Sequence, residues 1–160
     1  MNTATYNECV RELSDAVYRF ALKCTGNADD AQDVVQSGFE VLWLKREEVP
    51  ADRAKAFLFQ VAYNQSVSAY RRSSRHDDET AIPDSGGGQL APHGLKRALD
   101  GALDTLDSRS RALVLLKDYE GYSYAEIGAL TGLNESQVKV TLFRARKKLQ
   151  AYIGKPENVL

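Results

Sequence analysis

Residues 121–152 read GYSYAEIGALTGLNESQVKVTLFRARKKLQAY, and their spacing predicts two short helices joined by a tight turn. Ser123 followed by Glu126, and Asn134 followed by Gln137, are capping-box pairs, so each marks a helix start. Ile127 and Leu130 face inward on the first helix, while Val138, Leu142, Ala145 and Leu149 recur at helical spacing on the second. Gly132 falls between them, where one helix must stop and the chain reverse. This is the helix-turn-helix pattern, whose second helix enters a DNA major groove. Lys139, Arg144, Arg146, Lys147 and Lys148 add positive charge with no acidic residue among them. Such a run neutralises phosphates and releases counterions. Alone it would equally suit the solvated face of a helical bundle. Joined to two caps and a glycine stop, it points to nucleic acid.

Outward from this segment, the rest of the chain is helical too. Before it, a short helix over about 108–118 and a stripe of Leu95, Ala98, Leu99, Ala102, Leu103 and Leu106 are expected. Near the N-terminus, Val10, Leu13, Val17, Phe20 and Ala21 mark the inner face of a helix over about 5–23, ended by Gly26. Asn27 can cap a second helix, with Ala31, Val34, Val35, Gly38 and Leu42 inward. Pro50 breaks the pattern. A third helix then spans about 53–72, with Ala54, Phe57, Leu58, Val61 and Ala62 apolar. No alternating strand pattern is present. The fold class is all-α, in two small bundles.

Residues 73–94, SSRHDDETAIPDSGGGQLAPHG, have no sustained periodicity and carry two prolines and a glycine run. Such a composition buries too little apolar surface to offset its ordering entropy, so it reads as a flexible linker. The expected organisation is a helical domain over 1–75, a linker over 76–94, a helix-turn-helix domain over 95–154 and a tail over 155–160.

With 160 residues, 27% charged and 43% hydrophobic, the composition is that of an ordinary globular chain. No apolar run reaches the length of a membrane span and no signal-peptide pattern opens the chain, so no membrane insertion and a cytoplasmic location are expected. A net charge of −1 is unusual for a DNA binder. Segregation resolves it: residues 71–75 and 139–148 are basic, 29–33 and 77–84 acidic. Cys9 and Cys24 stand too far apart for a metal or redox pair, and His76 and His93 add no ligand set. The cysteines read as small core residues, with redox sensing as the alternative. No phosphate-cradling loop, metal cluster or nucleophile–base pair is recognisable, so neither an enzyme nor a cofactor is expected.

The end of the third helix offers a second nucleic-acid surface. Tyr63, Asn64 and Tyr70 precede Arg71, Arg72 and Arg75, and rings, amides and guanidiniums together suit unpaired bases and their phosphates. Aromatics at helical spacing are more often core. Phe57 fits that reading, Tyr63 and Asn64 stay open, and the arginines equally suit a solvated helix end.

The two modules, their order and the linker resemble the extracytoplasmic-function (group IV) sigma factors of bacterial RNA polymerase, over nearly the whole chain. DDAQDVVQSGF (29–39) with Val41, Leu42 and Trp43 looks like the family's region 2.2. AFLFQVAYNQSVSAYRR (56–72) looks like regions 2.3 and 2.4. LDTLDSRSRALVLLKDYEGYSYAEIGALTGL (103–133) and QVKVTLFRARKKL (137–149) look like region 4, the most specific part of the match.

The resemblance implies a non-catalytic initiation factor with a division of labour. Region 2.2 would dock on core RNA polymerase through Asp33, Gln36, Phe39 and Glu40. The loop around 49–53, Tyr63, Asn64, Arg71, Arg72 and Arg75 would open the minus-ten element and capture an unstacked base. Region 4 would read the minus-thirty-five element of promoter DNA through Glu135, Ser136, Gln137, Lys139, Val140 and Thr141, with Arg144 on phosphate. The resemblance also implies an anti-sigma partner masking the polymerase-binding surfaces. No obligate homo-oligomer is expected. Gln32, Ser68, Asp107 and Thr141 depart from the family's usual residues, and Thr141 should remove one phosphate or guanine contact. Two alternatives are a stand-alone helix-turn-helix regulator and a sigma mimic that sequesters a partner.

Overall fold

The computed structural model describes residues 1–76 and 93–155, with side chains outside 68–76 and 93–96. It divides into two compact units, Met1–Ile82 and Pro83–Leu160. All regular structure among the described residues is helical.

Unit one holds α1 (Thr3–Thr25), α2 (Ala28–Leu44) and α3 (Ala54–His76), each packed on the other two. Short polar residues start the first two helices. Asn2 accepts from the Thr5 amide at 2.8 Å and Asn27 from the Asp30 amide at 3.0 Å, each satisfying one of the donors a helix start leaves unpaired. Gly26 ends α1 in the left-handed region, φ 72°, which costs a residue without Cβ least. Pro50 opens a 3₁₀ turn, Ala51–Arg53, that feeds α3.

The core of this unit is Val17, Phe20, Ala21 and Cys24 from α1, Ala31, Val34 and Leu42 from α2, and Leu58, Phe59 and Ala62 from α3. Phe20 and Phe59 meet edge to face, centroids 5.3 Å apart. The expected inner face of α3 is corrected here. Phe59 and Tyr63 are buried, whereas Phe57 and Val61 are only half-buried. Because α3 packs on both α1 and α2, its buried arc turns away from the stripe that hydrophobicity alone traces.

Unit two holds α4 (His93–Asp104), α5 (Ser108–Val114), α6 (Tyr124–Thr131) and α7 (Glu135–Ile153). The helices α4, α5 and α6 all pack on α7, around Ala102, Leu103, Leu106, Leu113, Leu116, Ile127, Val138, Leu142 and Ala145. Both expected capping boxes are present, and Gly132 closes α6 at φ 80°. Leu99, expected inward, is exposed on α4. The helix expected to run to about residue 118 instead changes to a π turn at Leu115–Tyr119, with the Glu120 amide bonded to the Leu115 carbonyl at 3.0 Å. Residues 111–116 are all buried, so no solvent face remains along that stretch.

The helices α3 and α4 extend to His76 and from His93, into the ends of the expected linker. The rest of that linker, 77–92, and the tail from 156 onward lie outside the described residues.

Candidate nucleic-acid interface

The second helix of the helix-turn-helix presents a polar and apolar face clear of the core. Glu135, Ser136, Gln137, Lys139, Val140 and Arg144 are exposed and Thr141 is half-buried. Not all of them are free to read DNA. The Gln137 side chain accepts from the Asn134 amide at 2.9 Å in the capping box. Glu135 lies 3.5 Å from Lys139, one turn on. Ser136 and Val140 have no such commitment and sit one turn apart on one face.

Phe143 and Lys147 continue that face; the sequence pattern singled out Lys147 only as part of the basic run and Phe143 not at all. Phe143 is 61% exposed although apolar, and the Lys147 ammonium lies 4.8 Å from its ring centroid. The signal was available in the spacing: 136, 140, 143 and 147 recur as i, i+4, i+7, i+11, beside the core stripe rather than on it. A large apolar side chain held in solvent invites a partner surface.

A second group missed in the sequence surrounds Tyr124, the first residue of α6. The Lys117 ammonium lies 4.8 Å and that of Lys139 5.6 Å from its ring centroid. Lys117 comes from the π turn, so this cluster exists only once the fold has formed. Arg146 is drawn into it as well. Its guanidinium donates to Asp118 at 2.8 Å, and that bond first, then Tyr124, raises its already high pKa. Arg146 therefore ties α7 to the π turn and is not one of the cations open to phosphate.

In unit one, Asp33, Gln36 and Glu40 are exposed along one face of α2, with Gln36 donating to Glu40 at 3.3 Å. Leu44, not expected to matter, extends the same face at 79% exposure. Phe39 is corrected to core. It is 7% exposed, its ring lies 6.4 Å from that of Tyr6, and its carbonyl accepts from the Tyr6 hydroxyl at 2.8 Å.

Asn64 is exposed on α3, but Tyr63 beside it is only 5% exposed. Its ring faces are covered by the core, so it cannot stack a base in this conformation, and its assignment to the minus-ten surface is withdrawn. Arg71, Arg72 and Arg75 lie on the continuing helix, their side chains outside the described residues. The stretch 50–53 is exposed, and its approach is fixed where Arg46 stacks 3.9 Å from the Trp43 ring centroid and donates to the Trp43 carbonyl at 2.8 Å.

Residues 9–76 match the family model of sigma-70 region 2, and residues 96–149 that of sigma-70, region 4. The chain belongs to the sigma-70 family. Within it, this sigma factor is similar to extracytoplasmic-function members. It is 34% identical to the ECF RNA polymerase sigma factor SigL of Mycobacterium tuberculosis over 148 residues, covering 87% of this chain and 83% of that one. It is 31% identical to the ECF RNA polymerase sigma factor SigE of Mycolicibacterium smegmatis, covering 94% of this chain and 62% of the relative's length. The fold matches CnrH, solved in complex with the cytosolic domain of CnrY, with a TM-score of 0.71, 27% identity and coverage of 96% and 90%. It also matches the sigma factor RpoE, solved with the anti-sigma factor NepR from Bartonella quintana, with a TM-score of 0.75, 24% identity and coverage of 94% and 98%.

Proposed function

We propose that this sigma factor binds core RNA polymerase and directs initiation at promoters carrying two recognised elements. Unit one opens the minus-ten element and unit two reads the minus-thirty-five element. The observation that carries this reading is the exposed face of α7. Ser136, Val140, Phe143 and Lys147 stand out from a helix whose opposite side is core, and Tyr124 with Lys117 and Lys139 borders it. Val140 and the Phe143 ring supply apolar contact of the kind a thymine methyl takes. Tyr124 and its two lysines supply donors and charge for a backbone phosphate.

On α2, Asp33, Gln36, Glu40 and Leu44 form the polymerase-docking face. In unit one, Asn64, the loop at 49–53 and the arginines at 71, 72 and 75 engage the displaced strand. The chain acts without catalysis of its own, in the cytoplasm, where its template is. The complexes of CnrH with the cytosolic domain of CnrY and of RpoE with the anti-sigma factor NepR support a regulatory partner for this chain too.

The docking face is tested by gel filtration of the chain with bacterial core polymerase. Wild type is expected to co-elute with core, and Asp33→Lys combined with Glu40→Lys to elute free while keeping its helical circular dichroism. Co-elution of the double variant with undiminished affinity would place docking elsewhere.

A further inference from the structure

Two flanks border the exposed face of α7. Tyr124, Lys117 and Lys139 lie along one. Along the other, α5 and α7 enclose a groove of about 280 Å³ whose walls carry Arg109, Arg144 and Lys148, with the hydroxyls of Ser110 and Thr141. Asp107 is the carboxylate on that wall, and it is already engaged as the cap of α5, accepting from the Ser110 amide at 2.7 Å. Three cations therefore face one anion. None of the three makes a hydrogen bond or salt bridge among the described residues, whereas Lys139 and Arg146 on the same helix are held by Glu135 and Asp118.

Three cations gathered around a groove with a single carboxylate leave an excess of positive charge, which raises the local potential and concentrates anions there. The position of the groove says which anion. On α7, residues 141, 144 and 148 share one edge and 139 and 146 the other, with 136, 140, 143 and 147 between them. A helix with its side chains is about 10–12 Å across, and the major groove about 12 Å wide. A helix laid there brings its two edges against the phosphates of the two opposite strands.

We infer that the groove between α5 and α7 binds a DNA backbone phosphate on the strand across the major groove from Tyr124, with Arg109 and Lys148 as positioning residues. This rests on α7 being the recognition helix. Arg109 and Lys148 hold the register of α7 but carry no base information, because a phosphate is the same at every step. Without them the helix is gripped from one side and is free to roll in the groove.

The test uses the full chain with core polymerase on a promoter fragment, and follows the affinity of the complex between about 50 and 200 mM salt. Each phosphate contact contributes about −0.9 to the slope of log affinity against log salt. Arg109→Gln with Lys148→Gln is expected to flatten that slope by roughly 1, the share of the one phosphate held in the groove. The loss should be equal on promoters differing at single minus-thirty-five positions, and Arg109→Lys should keep the wild-type slope. An unchanged slope in the double variant would overturn the assignment. So would altered base preference, which would make these residues readers of sequence. Saturable binding of inorganic pyrophosphate to wild type, lost in the double variant while the slope is unchanged, would make the groove a small-anion site instead. Failure of wild type to protect the minus-thirty-five region would sink the recognition reading itself, and this inference with it.

Discussion

Arg111, on α5, donates from Nε to the carbonyl of Leu103 at 3.1 Å, and from a terminal nitrogen to the carbonyl of Leu106 at 3.2 Å. It is only 4% exposed. Those carbonyls close the end of α4, which has no glycine stop, so a buried guanidinium supplies the donors that helix termini otherwise draw from water. The planar fork suits two acceptors at once.

Replacing Arg111 by leucine keeps apolar volume but removes the guanidinium donor from the Leu106 carbonyl, while the Leu103 carbonyl keeps the Leu106 amide at 3.1 Å. A buried acceptor left unpaired costs roughly 1–3 kcal/mol, so the variant should lose about that much stability. Lysine should recover only part of it, because its compact ammonium lacks the fork. Urea unfolding followed by circular dichroism measures both losses.

The cap of α6 predicts a pH dependence. Glu126 accepts from the Ser123 amide at 2.9 Å while the Ser123 hydroxyl accepts from the Glu126 amide at 3.1 Å. These bonds to Ser123 hold the Glu126 carboxyl below its ordinary value of 4.5. Asp107 is also low relative to 3.8: burial opposes its ionisation, but the bonds from Ser110 and the charges of Lys148 and Arg109 outweigh it. In both cases the folded carboxylate binds a proton less readily than the unfolded one. The contribution is thus complete above the ordinary values and disappears as pH falls through the lower, folded ones. Thermal melts from pH 6 down should show an acid loss that Glu126→Gln reduces. Ser123→Ala should cost about 1 kcal/mol at neutral pH.

Neighbouring residues on α3 should behave as opposites. Tyr63→Ala empties buried space and should destabilise unit one by about 3–5 kcal/mol. Asn64→Ala, being exposed, should change stability by less than about 0.5 kcal/mol. Under the proposed function it should impair opening of the minus-ten element, seen as reduced permanganate reactivity of unpaired thymines. Normal opening by Asn64→Ala would remove that residue from the strand-capturing surface.

Phe143→Ala should leave the unfolding midpoint nearly unchanged, since so much of the ring is in solvent. Its effect should appear in promoter choice, as a loss of about 1–3 kcal/mol of discrimination at one minus-thirty-five base pair. Selection from a randomised minus-thirty-five library measures this directly.

What the sequence made legible was local. Asn27, Ser123, Asn134, Gly26 and Gly132 act within four residues of themselves, and each does what its type and spacing predict. The phase of α3 was not legible, because Phe59 is selected over Phe57 by Phe20, a residue far away in the chain. The π turn was not legible either. Leu115 and Leu116 would suit an α-helix equally well. The site divides in the same way. The exposed tip of α7 follows from its periodicity, whereas the diversion of Arg146 to Asp118 and the gathering of lysines on Tyr124 depend on tertiary contacts.

The most direct measurement is transcription in vitro with the purified chain, bacterial core polymerase and fragments of the source genome, with the 5′ ends of the products mapped. The account predicts discrete starts, absent without the chain, that share two upstream motifs about ten and thirty-five base pairs before them. Binding to core with no new starts, or sequence-specific DNA binding by the chain with no binding to core, would contradict it.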